Sequence, residues 1–236
     1  DNKEKIDYLR HLADTVYIND VVERHRVKNR PELEELLRII ASSIGAPSNP
    51  TKLSNTFKSL KNIVISNKTL GNYLNYLCDA FMIGRAVRYN IKGKKYINTL
   101  SKYYFTDIGL RNALLDFRQT EQTHIMENVI YNELLFRGYS VDVGIVEVTG
   151  HDKNGKFIRK QLEVDFVVND GSQRYYIQSA FSIPDEEKMS QETASFRYID
   201  DSFKKILVVK DDIMPYTDDN GFLHIGLFDF LLKPQM

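Results

Sequence analysis

The run Glu163-Val164-Asp165-Phe166-Val167-Val168 and the run Tyr175-Tyr176-Ile177-Gln178-Ser179-Ala180 decide how this chain is read. Both are short, apolar and rich in β-branched or aromatic residues, and Asp170-Gly171 between them suits a tight turn, so the pair predicts a β-hairpin. Upstream, Glu127 falls in a segment expected to be helical. An acidic residue on a helix, an Asp on one strand and an acidic residue on the next can hold a hard divalent cation, and a Lys two places on can assist the attacking water. Here the last two positions are Gln178 and Ala180. The outline of a site is kept, and the gap falls on the groups that do the chemistry.

That order of residues is the outline of a metal-dependent PD-(D/E)xK nuclease. In the functional reading, Glu127, Asp165 and Gln178 surround Mg²⁺ or Mn²⁺ as catalytic and metal-binding residues, with Gln178 offering a neutral carbonyl oxygen. Ala180 removes the cation that would orient water or stabilise developing charge. Lys188 on the following helix, or Arg159 or Lys160 on the preceding strand, are the cations that could replace it. In the alternative reading, Glu127 and Asp165 hold helix and strand together through hydrogen bonds, and the site is degenerate.

Around this centre the second half reads as helix from Ile125 to about Arg137, a turn at Gly138, and strands at 139–143 and 145–148. A turn at Asn154-Gly155 leads to strands at 157–161, 163–168 and 174–181. Glu186 to Tyr198 is expected to be helical, 204–209 a buried strand, and 222–226 a strand leading to a short helix at 227–232. One mixed sheet flanked by helices is the natural assembly.

In the first half, Ile6, Leu9, Leu12, Val16, Tyr17, Val21 and Val22 recur at helical spacing, in one amphipathic helix or two short ones. Pro31 opens a helix buried through Leu33, Leu36, Leu37, Ile39 and Ile40. A short helix at 52–60 follows, then a helix to about Asp79 for which Ser66, with Asn67, is a good N-cap. Residues 82–91 and 96–100 read as strands joined by the turn Lys92-Gly93-Lys94-Lys95. Three helices closed by a basic hairpin form a winged-helix arrangement. On it, Lys68, Asn72, Asn75, Arg88, Lys92, Lys94 and Lys95 are the candidate DNA-binding residues, within a basic segment that also holds Lys58, Lys61, Arg85 and Lys102. The alternative is a protein-contacting winged helix with solvated lysines. The break Gln119-Thr120-Glu121-Gln122-Thr123 sets the boundary between a domain at 1–118 and one at 122–236.

Composition narrows the partners. Lys plus Arg and Asp plus Glu both total 32 among 236 residues, so any basic surface is local. The one cysteine, Cys78, excludes a disulfide framework and a cysteine-rich zinc site, and is expected to be a small core residue. His11, His25, His124, His151 and His224 lack ligand spacing. No apolar run reaches the roughly 20 residues of a membrane span, and no signal-peptide core is present, so no membrane partner and a cytoplasmic location are expected. The absence of Met at position 1 suggests the later part of a longer polypeptide. No phosphate-binding loop of the G-x-x-x-x-G-K-[ST] kind occurs.

The strings YLRHLADTVYINDVVERHRV (8–27), SNKTLGNYLNYLCDAFMIGRAVRYNIKGKKYI (66–97), KYYFTDIGLRNALL (102–115) and ENVIYNELLFRGYSVDVG (127–144) resemble the C-terminal half of bacterial and archaeal AAA-type ATP-binding proteins. In that family a P-loop ATPase precedes a winged helix and a domain with a PD-(D/E)xK-like fold. The resemblance implies an α/β (α+β) chain, with an N-terminal winged-helix unit followed by a mixed-sheet restriction-endonuclease-like domain. It implies no cofactor here, ATP only in a missing upstream domain, and Mg²⁺ or Mn²⁺ only if the nuclease-like site works. The expected function is a noncatalytic region binding double-stranded DNA or a protein partner. The alternatives are a metal-dependent nuclease and an oligomerisation module.

Overall fold

A computed structural model describes residues 2–119, 121–151 and 155–233. Thr120 and Asn154, named above in the break and in a turn, lie outside them. The chain forms two compact units, one of Asp1–Arg85 with Leu100–Asn128 and one of Ala86–Thr99 with Val129–Met236.

The first unit is mainly helical. The amphipathic N-terminal pattern becomes α1 (Asn2–His11) and α2 (Asn19–His25), joined by a π-helical stretch at Leu12–Ile18. Arg30 bonds the widened turn, donating from Nη2 to the Asp14 carbonyl at 3.3 Å, and also holds Asn19 and Glu34. Helix α3 (Arg30–Ser42) carries Pro31 in its first turn and buries Leu33, Leu36, Leu37, Ile40 and Ala41, the spacing of one helical face. Each such leucine or isoleucine contributes roughly 1.5–3 kcal/mol when fully buried.

Helices α4 (Pro50–Lys61), α5 (Asn67–Asp79) and α6 (Ile108–Leu114) all start at side-chain caps. Asn49 accepts from the Lys52 N–H at 2.8 Å, Ser66 from Thr69 at 3.0 Å, and Asp107 from Leu110 at 2.8 Å. Caps of this kind contribute about 1 kcal/mol each. Fully buried Arg111 ties α3 to α6, donating from Nε to the Ala41 carbonyl at 2.8 Å and from Nη1 to the Gln119 carbonyl at 2.6 Å.

The strands are β1 (Ile83–Asn90), β2 (Lys95–Phe105), β3 (Ser140–His151), β4 (Phe157–Asp170), β5 (Gln173–Ala180), β6 (Lys204–Val209), β7 (Tyr216–Thr217) and β8 (Leu223–Gly226). They form a mixed sheet in the order β2-β1-β3-β4-β5-β6-β8-β7. β3, β4 and β5 are antiparallel neighbours, whereas β1 with β3, β5 with β6, and β6 with β8 run parallel. Helices α7 (Gln122–Phe136), α8 (Glu186–Glu192) and α9 (Leu227–Leu232) complete the described elements.

Four boundaries depart from the sequence reading. The strands expected at 139–143 and 145–148 are one strand, as are those at 157–161 and 163–168. The helix expected to reach Tyr198 stops at Glu192 and is followed by a 3₁₀ turn at Phe196–Tyr198. Ala86–Thr99, most of the expected hairpin, belongs to the second unit.

The long β3–β4 pair is not uniform. Asp142 pairs with Val167 but Gly144 pairs with Val164, so Asp165 and Phe166 together oppose the single residue Val143. This β-bulge explains why Val164 and Val167, an odd separation apart, are both fully buried in one apolar cluster with Val146 and Tyr176. Gly144 is required there, since a Cβ would lie 2.7 Å from Val167 Cγ2 and 2.9 Å from Ile91 Cδ1 and Val164 Cβ.

Candidate functional site

Glu127, near the start of α7, is 8% exposed and does not face solvent as a ready ligand. Its Oε1 accepts from the Lys102 ammonium at 2.8 Å and from the Tyr104 hydroxyl at 2.6 Å, both from β2. Gly45, at φ +72°, makes room for it; a Cβ there would sit 3.3 Å from Oε1. The neighbouring Asn128 is fully buried and closes two 2.7 Å hydrogen bonds with the N–H and C=O of Phe105. Together these bonds fasten the first turns of α7 to the end of β2. Lys102, grouped with the surface lysines in the sequence, is instead 4% exposed and the partner of a buried carboxylate.

In the second unit, Asp165 and Gln178 are adjacent. The bulge delivers Asp165 beside β5, where its Oδ2 accepts from the Ser179 N–H at 2.9 Å while its own N–H donates to Gln178 Oε1 at 3.3 Å. Ala180, two residues on, is buried in an apolar cluster with Leu207 and Val209, against which Ile183, Met189 and Ile213 pack. Position 180 thus offers a packed methyl group and no cation.

The cations offered as replacements are engaged elsewhere. Lys188 pairs with Glu192 one turn along α8 at 2.5 Å, and Arg159 pairs with Glu147 across the β3–β4 ribbon. Lys160 is exposed on the same ribbon, opposite Val148. Gln178 brings no charge, and the charge of Glu127 is offset by Lys102. Among the described residues no three His, Cys, Asp or Glu side chains gather closely enough for a metal ion. The residues present do not fit a resident Mg²⁺ or Mn²⁺ ion, which needs several charged oxygens.

The candidate nucleic-acid residues fall in both units. On α5, Lys68, Asn72 and Asn75 are exposed at i, i+4 and i+7, so they share one face opposite buried Leu70, Tyr73, Leu74 and Leu77. Asp79 continues that face with an acid. At the hairpin, Lys92, Lys94 and Lys95 are exposed, with Lys92 Nζ 5.8 Å from the Tyr198 ring centroid. Arg88 is half-buried and donates to Gln161 Oε1 at 3.5 Å.

Other titratable groups are accounted for by packing. Burial pushes the Cys78 thiol up to about 11, as suits an inert cysteine. Buried His224 bonds Asp218 at 3.0 Å and stacks on Tyr216. Sequence reasoning passed over a second polar cluster, Arg174 with Lys204 and Lys205, at the amino ends of β5 and β6. Its only sequence signal was a lysine pair opening an apolar strand.

An uncharacterised protein of Haemophilus influenzae is 33% identical over 233 residues, 99% of this chain and 54% of its own length. Uncharacterised protein MJ1544 of Methanocaldococcus jannaschii is 29% identical over 97% of this chain and 48% of its own length. The chain therefore spans about half the length of these curated relatives. The crystal structure of protein VC1899 from Vibrio cholerae aligns with 86% of this chain and 55% of its own at 15% identity, with a TM-score of 0.30. Residues 1–121, half of the chain, match a family described as "Domain of unknown function" (DUF8612), and the chain belongs to that family.

Proposed function

We propose that this chain is a noncatalytic nucleic-acid-binding region, with a winged-helix arrangement in its first half and a degenerate PD-(D/E)xK-like sheet in its second. The observation that carries the noncatalytic part is Ala180, sealed among Leu207, Val209 and Met189 where the outline calls for an ammonium. The binding part is supported by the single exposed face of Lys68, Asn72 and Asn75 and by the lysine-rich hairpin turn. Such residues suit phosphate contacts that position a duplex with little sequence preference. In a longer protein the region would serve an AAA-type ATPase, a reading that rests on the resemblance of residues 8–27, 66–97, 102–115 and 127–144.

A salt titration of duplex binding by fluorescence anisotropy tests this reading. The slope of log K against log salt should be negative, by about 0.9 per neutralised phosphate, and should shrink by about one for each phosphate-binding lysine that is replaced. Lys92→Glu with Lys94→Glu should reduce both affinity and slope, and Lys68→Glu should do so separately. Absence of binding at low salt would refute it.

One observation favours a second reading, a metal-dependent nuclease. The β-bulge falls at Asp165, and bulges are over-represented next to active sites because they re-aim a side chain. That reading requires a cation supplied by the substrate complex, and cleavage lost in Asp165→Ala would support it.

A further inference from the structure

A cavity of about 740 Å³ opens at the amino ends of β5 and β6, within the second unit. That size suits a small ligand. Arg174, Lys204 and Lys205 line it together with one carboxylate, Asp201, which leaves two positive charges in excess.

Of these cations, Lys205 has a single carboxylate at the edge of ion-pair distance, and Arg174 is hydrogen-bonded by the neutral groups of Asn169, Tyr176 and Tyr89. Lys205 is only 9% exposed, and lysines are rarely buried unless paired. Its Nζ donates to the backbone carbonyls of Asp201 at 2.8 Å and Phe203 at 3.4 Å, while the nearest carboxylate oxygen, Asp201 Oδ1, stands 3.9 Å away. An ammonium has three N–H donors; two meet these backbone carbonyls, and the Tyr176 ring centroid lies 5.8 Å from Nζ. Asp201 is itself occupied, accepting the Tyr176 hydroxyl at 2.5 Å and the Phe203 N–H at 3.2 Å.

Arg174 is half-buried, with its guanidinium 5.1 Å from the Tyr89 ring centroid and 5.8 Å from that of Phe203, and its Nε donates to Asn169. Its longer-range counter-charge is Asp142, whose carboxyl burial pushes up. Lys204 is exposed at the rim. The wall also carries the aromatic side chains of Tyr175, Phe203 and Phe222, beside the neutral polar groups of Gln173, Ser202 and Asn220.

The far side of the cavity is set in place before any ligand arrives. Asp218 accepts from the N–H groups of Asn220 and Phe222 at 2.9 Å each and is bonded by His224, so the turn that presents Gly221 to the cavity is fixed. Nothing lies within 4 Å of where a Gly221 Cβ would be.

We propose that this cavity binds a phosphate monoester, with Lys204, Lys205 and Arg174 around the phosphate and the aromatic wall against the group it esterifies. A monoester carries about −1.5 to −2 at neutral pH, which matches the surplus charge of the wall. Arg174 and Lys205 are held in place by their hydrogen bonds, and Lys204 can close over the phosphate from the rim. The ester can be a free small molecule or the terminal phosphate of a nucleic-acid strand. The site uses neither α5 nor the hairpin lysines, so loss of duplex binding would leave it standing.

Titration of the ¹⁵N-labelled chain followed by amide shifts tests the proposal, with four probes: inorganic phosphate, adenosine 5′-monophosphate, and one decanucleotide with a 5′-phosphate or a 5′-hydroxyl. Adenosine monophosphate should move the amides of Phe203, Lys205, Asn220 and Gly221 and bind at least tenfold tighter than inorganic phosphate. A tenfold preference for the phosphorylated decanucleotide at the same amides would assign the ester to a strand end. Equal binding of the two decanucleotides would assign it to a small molecule. Lys204→Glu, which changes only an exposed side chain, should weaken the monophosphate at least tenfold with the melting temperature retained. No movement of these amides by any phosphorylated probe, or unchanged affinity in Lys204→Glu, would overturn the proposal.

Discussion

Lys102 donates to Glu127 across 2.8 Å, with both side chains almost fully withdrawn from water. The contact gives the helix carboxylate of the nuclease-like outline a structural task. A buried pair contributes little net stability compared with a well-packed apolar replacement, but its two halves depend on each other strongly.

Removing one half should therefore be costly. Lys102→Met leaves the Glu127 carboxylate buried with the Tyr104 hydroxyl and no cation, and should lower unfolding stability by about 3–5 kcal/mol. Lys102→Met combined with Glu127→Leu should recover a large part of that loss. Urea denaturation of the two single variants and the double variant measures the coupling, and additive losses would contradict it.

Gly144 should not tolerate a methyl group. With Val167, Ile91 and Val164 all within 2.9 Å of the added Cβ, Gly144→Ala must displace the floor of the core beneath the bulge. A loss of about 1–3 kcal/mol is expected from such overpacking. Thermal or urea unfolding reads it, and the Asp165 and Ser179 amides should shift in the ¹⁵N spectrum.

Asp218 provides a pH signature. Burial raises its pKa, but the N–H groups of Phe222 and Asn220 and the His224 ring outweigh that and hold the carboxyl below its ordinary value. A depressed folded pKa stabilises the fold above the unfolded value of about 3.9 and loses that contribution as pH falls through the folded value. The gap in melting temperature between the native chain and Asp218→Asn should be full at pH 6 and narrow below about pH 4. A gap that widens on acidification would contradict the assignment.

Much of the fold was legible because local signals agreed. Pro31, Ser66 and the leucine spacing of α3 fixed helix starts and faces, and the apolar runs at 163–168, 175–180 and 204–209 gave the central strands. The break expected within β3 fell at Gly144, where the observed strand runs on. Gly144 is a place where the sheet packs too closely for a side chain. Residues Asp165, Gln178 and Ala180 were legible as a motif, and the structure joins the first two. The burial of Lys102 could not be read from the sequence, because a lysine in a basic segment has the same local pattern whether it meets solvent or a carboxylate 25 residues away. The cluster of Arg174, Lys204 and Lys205 stayed hidden for a similar reason, since parallel pairing of β5 with β6 brings distant residues together.

The central claim is binding without cleavage, and a single gel tests it. Labelled duplex DNA is incubated with the chain at low salt in Mn²⁺, and half of each sample is run native and half denatured. The account predicts a retarded complex and an intact strand. A strand cut by the native chain and left whole by Asp165→Ala, or a duplex that is never retarded, would contradict it.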